Sequence, residues 1–241
     1  MITETITYRC TRCQSTNIVR NGRNASGNPK FLRKECGASR ALTPKVRYTD
    51  EQKQLILRAY HERSGLRGVQ RLFGGSRPTL IAWIKKVHRL PAIQETLAAA
   101  RADDVLEIDE MWSYVGKKGN RVWLWSALCR RTRQIVAFVV GDRSEATCQR
   151  LWEALPEGYR SCVSYSDGWS AYEAVFPVAT HRRVAKGSGE LSHLERWHNT
   201  VRQRLSRYVR KTLSFSKSLE MHELVTRWFI VEYNQSLSLN T

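Results

Sequence analysis

The sequence predicts a mixed α/β domain over residues 103–235, preceded by a small cysteine-bearing β unit and a helical segment. Three observations carry that division. Residues 1–45 are Gly-, Asn- and Ser-rich, weakly periodic, and hold Cys10, Cys13 and Cys36. Residues 48–90 are basic and helical in pattern. Residues 103–235 alternate apolar, β-rich runs with amphipathic stretches, the mark of an α/β layer structure.

The 241 residues suit a small unit joined to a larger one. Hydrophobic residues make up 41%, and eight Trp, nine Tyr and six Phe supply core material, which excludes global disorder. Forty Lys and Arg against 22 Asp and Glu give a net charge of +18. A compact chain carrying such a surplus repels itself, so a polyanionic partner is expected. A membrane surface fits poorly, because there is no amphipathic anchor and no lipidation signal. No apolar run reaches the ~18 residues of a membrane span. Residues 1–8 lack the apolar core of a signal peptide. The expected location is the cytoplasm, where the six cysteines are free thiols or metal ligands rather than disulfides.

In the helical segment, Thr49 and Asp50 offer an N-cap for a helix to about Arg63, ended by Gly65. A short helix follows from Leu66 to Phe73. The Gly74-Gly75-Ser76 turn then leads into a third helix reaching about His88. Leu80, Ile81, Trp83, Ile84 and Val87 form its apolar stripe, and Arg77, Lys85, Lys86 and Arg89 stay polar. This is a helix-turn-helix layout over residues 48–90, whose last helix enters the major groove of DNA; the plain alternative is a three-helix packing unit. Arg77, Lys85 and Lys86 are its DNA-contact candidates. Residues 90–103 form a linker whose Ala-rich part is a candidate helix.

Strands are expected at 105–109, 121–129, 134–140, 161–166 and 181–185. Ser144 caps a helix over 145–155 that Pro156 and Gly158 stop, and final helices cover 191–210 and 219–234. A three-strand meander, a helix, then two strands with helices is the order of a ribonuclease-H-like mixed sheet with flanking helices.

In that order the first and fourth strands are neighbours, so Asp109 and Asp167 meet at one sheet edge, with Glu195 on a helix crossing it. Three converging carboxylates suit two Mg²⁺ or Mn²⁺ ions, hard cations that prefer oxygen ligands. Each acid has a plain alternative: Asp167 precedes Gly168 as a turn residue would, and Glu195 could sit on a solvated face. Glu110, Asp142 and Glu190 compete, and Glu107 competes most, because strand alternation puts it on the face of Asp109. Between positions 180 and 217, ten Lys and Arg face only Glu190 and Glu195. Arg196, Arg202, Arg204, Arg210 and Lys211 are the phosphate-contact candidates there, and Trp197 is either core or a platform for an unpaired base. Cys129, Cys148 and Cys162 read as buried thiols.

Several strings in this region resemble the insertion sequence one transposase family. Ile108-Asp109-Glu110-Met111-Trp112-Ser113-Tyr114 is similar to its first-acid motif, Tyr165-Ser166-Asp167-Gly168-Trp169 to its second, and Glu195-Arg196-Trp197-His198-Asn199 to its third. Val209–Lys217 is similar to its C-terminal signature. The resemblance implies a DNA transposase with Asp109, Asp167 and Glu195 as catalytic acids and Mg²⁺ ligands, and with His198 and Asn199 near the site. It implies Mg²⁺-dependent cleavage and strand transfer, recognition of terminal inverted repeats, and work as a homo-oligomer on double-stranded DNA ends and target in a prokaryotic nucleoid. It also implies a zinc-ribbon-like front end over 1–45 with two Cys-x-x-Cys pairs. Cys10 and Cys13 supply the first, but the second should occupy positions 33 and 36, and residue 33 is Arg. Structural Zn²⁺ wants four ligands. Three thiols leave zinc an open expectation, with His61 the one replacement in view. Two alternatives stay open: a ribonuclease-H-like nuclease that does not rejoin ends, and an inactive helix-turn-helix regulator.

Overall fold

A computed structural model describes residues 2, 4–25, 27–42, 48–86 and 90–238. They fall into two compact units, Met1–Lys53 and Gln54–Thr241. In the first, strands β1 (Ile18–Arg23), β2 (Pro29–Arg33) and β3 (Ser39–Arg40) form an antiparallel sheet in chain order. The β2–β3 turn needs a left-handed residue, and Gly37 supplies it at φ +68°, its N–H closing on Arg33 O at 2.8 Å.

Helix α1 (Asp50–Tyr60) starts where expected, with Thr49 Oγ1 accepting from the Gln52 N–H at 3.2 Å. α2 (Leu66–Phe73) ends at Gly74, φ +70°, and α3 (Arg77–Lys86) follows. Leu80 and Ile84 of the expected stripe are buried; Val87, His88 and Arg89 lie outside the described residues. The linker departs from expectation. A single 3-10 turn over Ile93–Thr96 gives way to extended chain, not an Ala-rich helix. Side chains of the larger unit take its backbone groups: Gln134 Oε1 accepts from Ala98 N–H, and Tyr159 Oη donates to Ala98 O. Those bonds replace the ones a helix would make.

The larger sheet contains β4 (Val105–Tyr114), β5 (Arg121–Cys129), β6 (Ile135–Gly141), β7 (Val163–Ser166) and β8 (His181–Arg183). Their order is β6-β5-β4-β7-β8, antiparallel through β6, β5 and β4, and parallel from β4 to β7 and β8. Strand β4 runs five residues beyond its expected end, paired along its length to Tyr114↔Arg121. Alternation along β4 divides the layers. Leu106 and Ile108 join a core with α4 (Glu145–Ala154) and α6 (Ser170–Val175), while Glu107 and Asp109 face α7 (Ser192–Arg204). Ser144 caps α4 as expected, accepting from the Thr147 N–H. The helices α5 (Glu157–Arg160) and α6 were not foreseen; four and six residues are too short to show a period. Cys129, Cys148 and Cys162 are buried, and burial pushes the Cys148 thiol up to about 12.

The expected helix 191–210 stops at Arg204, and α8 (Leu219–Ser238) closes the fold. Arg207 is the reason for the break. It is buried, and its guanidinium donates to Ser216 Oγ at 2.9 Å, to Met221 O at 2.8 Å, and to the Tyr60 hydroxyl. Sinking this cation there turns the chain out of the helix into a 3-10 turn at Ser206–Tyr208. Among the described residues no helix is long and apolar enough to cross a membrane.

Candidate active site

Two acids share one face of β4, and their surroundings separate them. Glu107 is fully buried. Its Oε1 accepts from Arg130 Nε at 3.0 Å and lies 2.6 Å from His193 Nδ1; its Oε2 accepts from the N–H groups of His193 and Leu194, both at 3.0 Å. Those N–H groups belong to the first turn of α7 and have no partner within the helix. Glu107 therefore serves as the anionic cap of α7, favoured by the helix dipole. Arg130 also pairs with Glu190 at 2.8 Å, so both of these competing acids are occupied.

Asp109, two residues on, is half-buried and sparsely engaged. Its Oδ2 lies 3.4 Å from His198 Nδ1, and His198 Nε2 lies 3.0 Å from Ser126 Oγ. Ser126 sits opposite Asp109 across the β4–β5 ladder. The parallel β4–β7 register ends at Glu107↔Tyr165. Asp109 lies two residues past Glu107 on β4, and Asp167 follows directly after Ser166, the last residue of β7. Asp167 Oδ1 accepts from the Trp169 N–H at 3.1 Å, the turn role foreseen for it. Glu195 is exposed on α7, one turn before His198 on the same helical face. It stands between the His193–Leu194 pair fixed by Glu107 and the His198 that touches Asp109.

Glu110 points to the opposite face. It pairs with Arg143 at 2.6 Å and accepts from the Tyr172 hydroxyl at 2.6 Å. Burial raises its pKa to about 7, the charges of Asp109 and Asp167 push the same way, and the Tyr172 bond and Arg143 oppose them. Asp142 is occupied by the hydroxyls of Ser144 and Thr147.

The cations differ in availability. Arg202 is half-buried with its Nε unpartnered; burial first and then the charge of Arg210 lower its pKa, and Asp109 raises it. Arg77, Lys86, Arg196, Arg210 and Lys211 are exposed, and Lys85 is 3.7 Å from Glu220. Arg204 pairs with Glu62 at 2.7 Å and lies over the Phe229 ring. Of its two alternatives Trp197 takes the core: it is 2% exposed, packed by the rings of Phe229 and Tyr233, and offers no platform to a base. The sequence reading also missed a cavity of about 470 Å³ beside Asp167, lined by Gly168, Arg183, Val184, Ala185 and Lys186. Gly168 lets the Arg183 guanidinium lie against the backbone, since a Cβ there would fall 2.5 Å from Arg183 Nε. No local motif marks Arg183.

In the smaller unit the sulfurs of Cys10, Cys13 and Cys36 lie within 4.8 Å of one another, with Cys10 and Cys36 at 3.7 Å. Backbone N–H groups of Cys13 and Arg12 lower the Cys10 thiol to about 6. Arg33 turns away. It is buried, and its guanidinium donates to the carbonyls of Phe31, Arg40 and Ala41 at 2.7, 2.8 and 2.9 Å. His61 belongs to the larger unit, where Nδ1 lies 2.8 Å from Glu232 and the ring lies 3.6 Å from that of Trp228.

A five-stranded mixed sheet, antiparallel over its first three strands and parallel over the rest, with helices against it, is the layout of the ribonuclease-H-like class. Comparison with known proteins narrows this. The profile of a family described as IS1 transposase matches residues 104–235, more than half of the chain. The chain belongs to the IS1 transposase family. A profile described as the InsA N-terminal domain, a zinc ribbon, matches residues 3–37. Insertion element iso-IS1n protein InsB of Shigella dysenteriae is 36% identical over 129 residues, 54% of this chain and 95% of that relative. Insertion element IS1 protein InsB of Shigella flexneri is 40% identical over 119 residues, 49% and 88%. Insertion element IS1 2 protein InsB of Escherichia coli K12 is 38% identical over 160 residues, 63% and 92%. Membership makes the chain a DDE transposase, an enzyme of DNA cleavage and transesterification that uses divalent metal.

Proposed function

We propose that the chain binds the terminal inverted repeats of an insertion sequence and catalyses Mg²⁺-dependent strand cleavage and strand transfer, with Asp109, Asp167 and Glu195 holding the metal. One arrangement supports this reading: Asp109 lies on β4, Asp167 directly follows its parallel neighbour β7, and His198 of α7, the helix of Glu195, lies 3.4 Å from Asp109. The donor set fits. All three are carboxylates, as hard cations require, and none is consumed by an ion pair with Lys or Arg, as Glu107 and Glu110 are. Held by these three carboxylates, divalent cations would supply activation of the attacking water or 3′-hydroxyl and charge stabilisation of the leaving oxygen.

The remaining work falls to the chain's own groups. His198 orients Asp109 and is itself held by Ser126. Glu107 fixes the first turn of α7 and so the position of Glu195. Arg202 lies in the field of Asp109 and of Arg210, and Arg183 and Lys186 line the cavity beside Asp167; together these cations grip phosphates flanking the reacting one. Residues 48–90 act as a helix-turn-helix reading the repeat through Arg77, Lys85 and Lys86, residues 1–45 as a ribbon-like front end, and residues 103–235 as the catalytic domain of an oligomer assembled on DNA. Asp109→Asn, Asp167→Asn and Glu195→Gln should each lower strand transfer on a repeat-end oligonucleotide by about 10³-fold or more, with gel-shift affinity nearly unchanged. Full transfer by both Asn variants would end the reading.

A further inference from the structure

We propose that Cys10, Cys13 and Cys36 form a three-thiolate site for a soft d¹⁰ cation, Zn²⁺ or Cd²⁺, whose fourth coordination position is open to an exchangeable outside ligand. The sulfur spacing is that of a ready site: Zn–S bonds of ~2.3 Å in a tetrahedron put sulfurs ~3.8 Å apart, and Cys10 and Cys36 stand at 3.7 Å. The Arg12 N–H donates to Cys10 Sγ at 3.4 Å, so part of the sulfur charge is met by backbone before any cation arrives.

The donor set does not fit a closed four-ligand ribbon. Position 33, the place of the fourth thiol, is Arg, and its guanidinium is spent on backbone carbonyls rather than aimed at the sulfurs. Residues 1–53 contain no histidine. Glu35, the acid nearest in sequence to Cys36, accepts from Ser15 Oγ at 2.6 Å. Cys13 is exposed, so the sulfur cluster is reached from solvent. A site of this kind binds metal less tightly than a closed one and admits water, imidazole or a small thiol, as three-ligand sites do.

The test uses the reduced full-length chain with Cd²⁺ and Co²⁺ as probes. One Cd²⁺ should bind per chain, with a sulfur-to-metal charge-transfer band that falls by about one third in Cys36→Ser and rises by about one third in Arg33→Cys, as the thiolate count goes from three to two or four. The Co²⁺ d–d spectrum of the wild-type chain should shift on adding imidazole, and that of Arg33→Cys should not. If Arg33→Cys does not fold, the imidazole shift and Cys36→Ser still decide. A wild-type Co²⁺ spectrum indifferent to imidazole, a band unchanged in Cys36→Ser, or no stoichiometric binding would each overturn the proposal.

Discussion

In the proposed acid site, Asp109, Asp167 and Glu195 come from β4, the turn after β7 and α7, and these are fixed by groups other than the acids: the sheet ladder holds β4 and β7, and Glu107 holds α7. In the cysteine unit the opposite holds, because the clustered sulfurs sit on the very turns a metal would staple, and Arg33 stands where the family resemblance expects a fourth thiol. Arg33 answers by bonding the carbonyls that follow β3, tying β2 to that end of the unit without metal. An acid site built on self-sufficient elements can keep its charges unpaired for cations. A thiol site that doubles as scaffold cannot lose a ligand without a substitute for its structural part.

The largest effect that sharpens this contrast lies within β4. Glu107→Gln leaves Arg130 with Glu190 as its one remaining counter-charge and weakens the α7 cap, and should cost about 2–3 kcal/mol in chemical denaturation. Asp109→Asn, two residues away, should leave stability within about 1 kcal/mol, or raise it by relieving repulsion with Asp167. Equal losses in the two variants would break the distinction between a structural and a free acid. Next, Arg33→Ala removes charged hydrogen bonds worth about 1.5–3 kcal/mol each at most, and should make far-UV ellipticity of the chain drop on chelation where the wild type changes little.

A smaller effect concerns pH. Burial first, and then the charge of Arg207, push His222 down from its ordinary value to about 3. A histidine with a depressed folded pKa binds its proton in the unfolded chain first, so stability is full above about 6.5 and is lost as pH falls toward 3, by about 1.4 kcal/mol per unit. His222→Asn should flatten that slope in urea melts between pH 4 and 6, placing acid sensitivity outside the acid edge. The smallest effect is at Arg183. Arg183→Gln should weaken end-DNA binding a few-fold and reduce the slope of log affinity against log salt by about 1.

Much of the fold was legible. α2 and β5 fall on the expected residues, because glycines bound one and a clear apolar run defines the other. The misreadings share a cause in distant partners. The break after Arg204 depends on Arg207 reaching Met221 and Tyr60, and the extended linker depends on Gln134 and Tyr159. At the site, periodicity puts Glu107 and Asp109 on one face and stops there. What separates them is Arg130, 23 residues away, and His193, 86 away. Glu110 was the easier case, since alternation alone turns it from Asp109. Arg183 carries no local signal, as its place over Gly168 arises only once β7 and β8 pair.

The account rests on a shared cation cage formed by residues remote in sequence, and anomalous scattering from Mn²⁺-soaked crystals of the intact chain examines it most directly. The expected map has manganese bonded at about 2 Å to carboxylate oxygens of Asp109 and Asp167, with Glu195 completing the shell directly or through water. Manganese seated instead on Glu107 or Glu110, or a Glu195 carboxylate more than about 10 Å from both aspartates when the ions are in place, would contradict it.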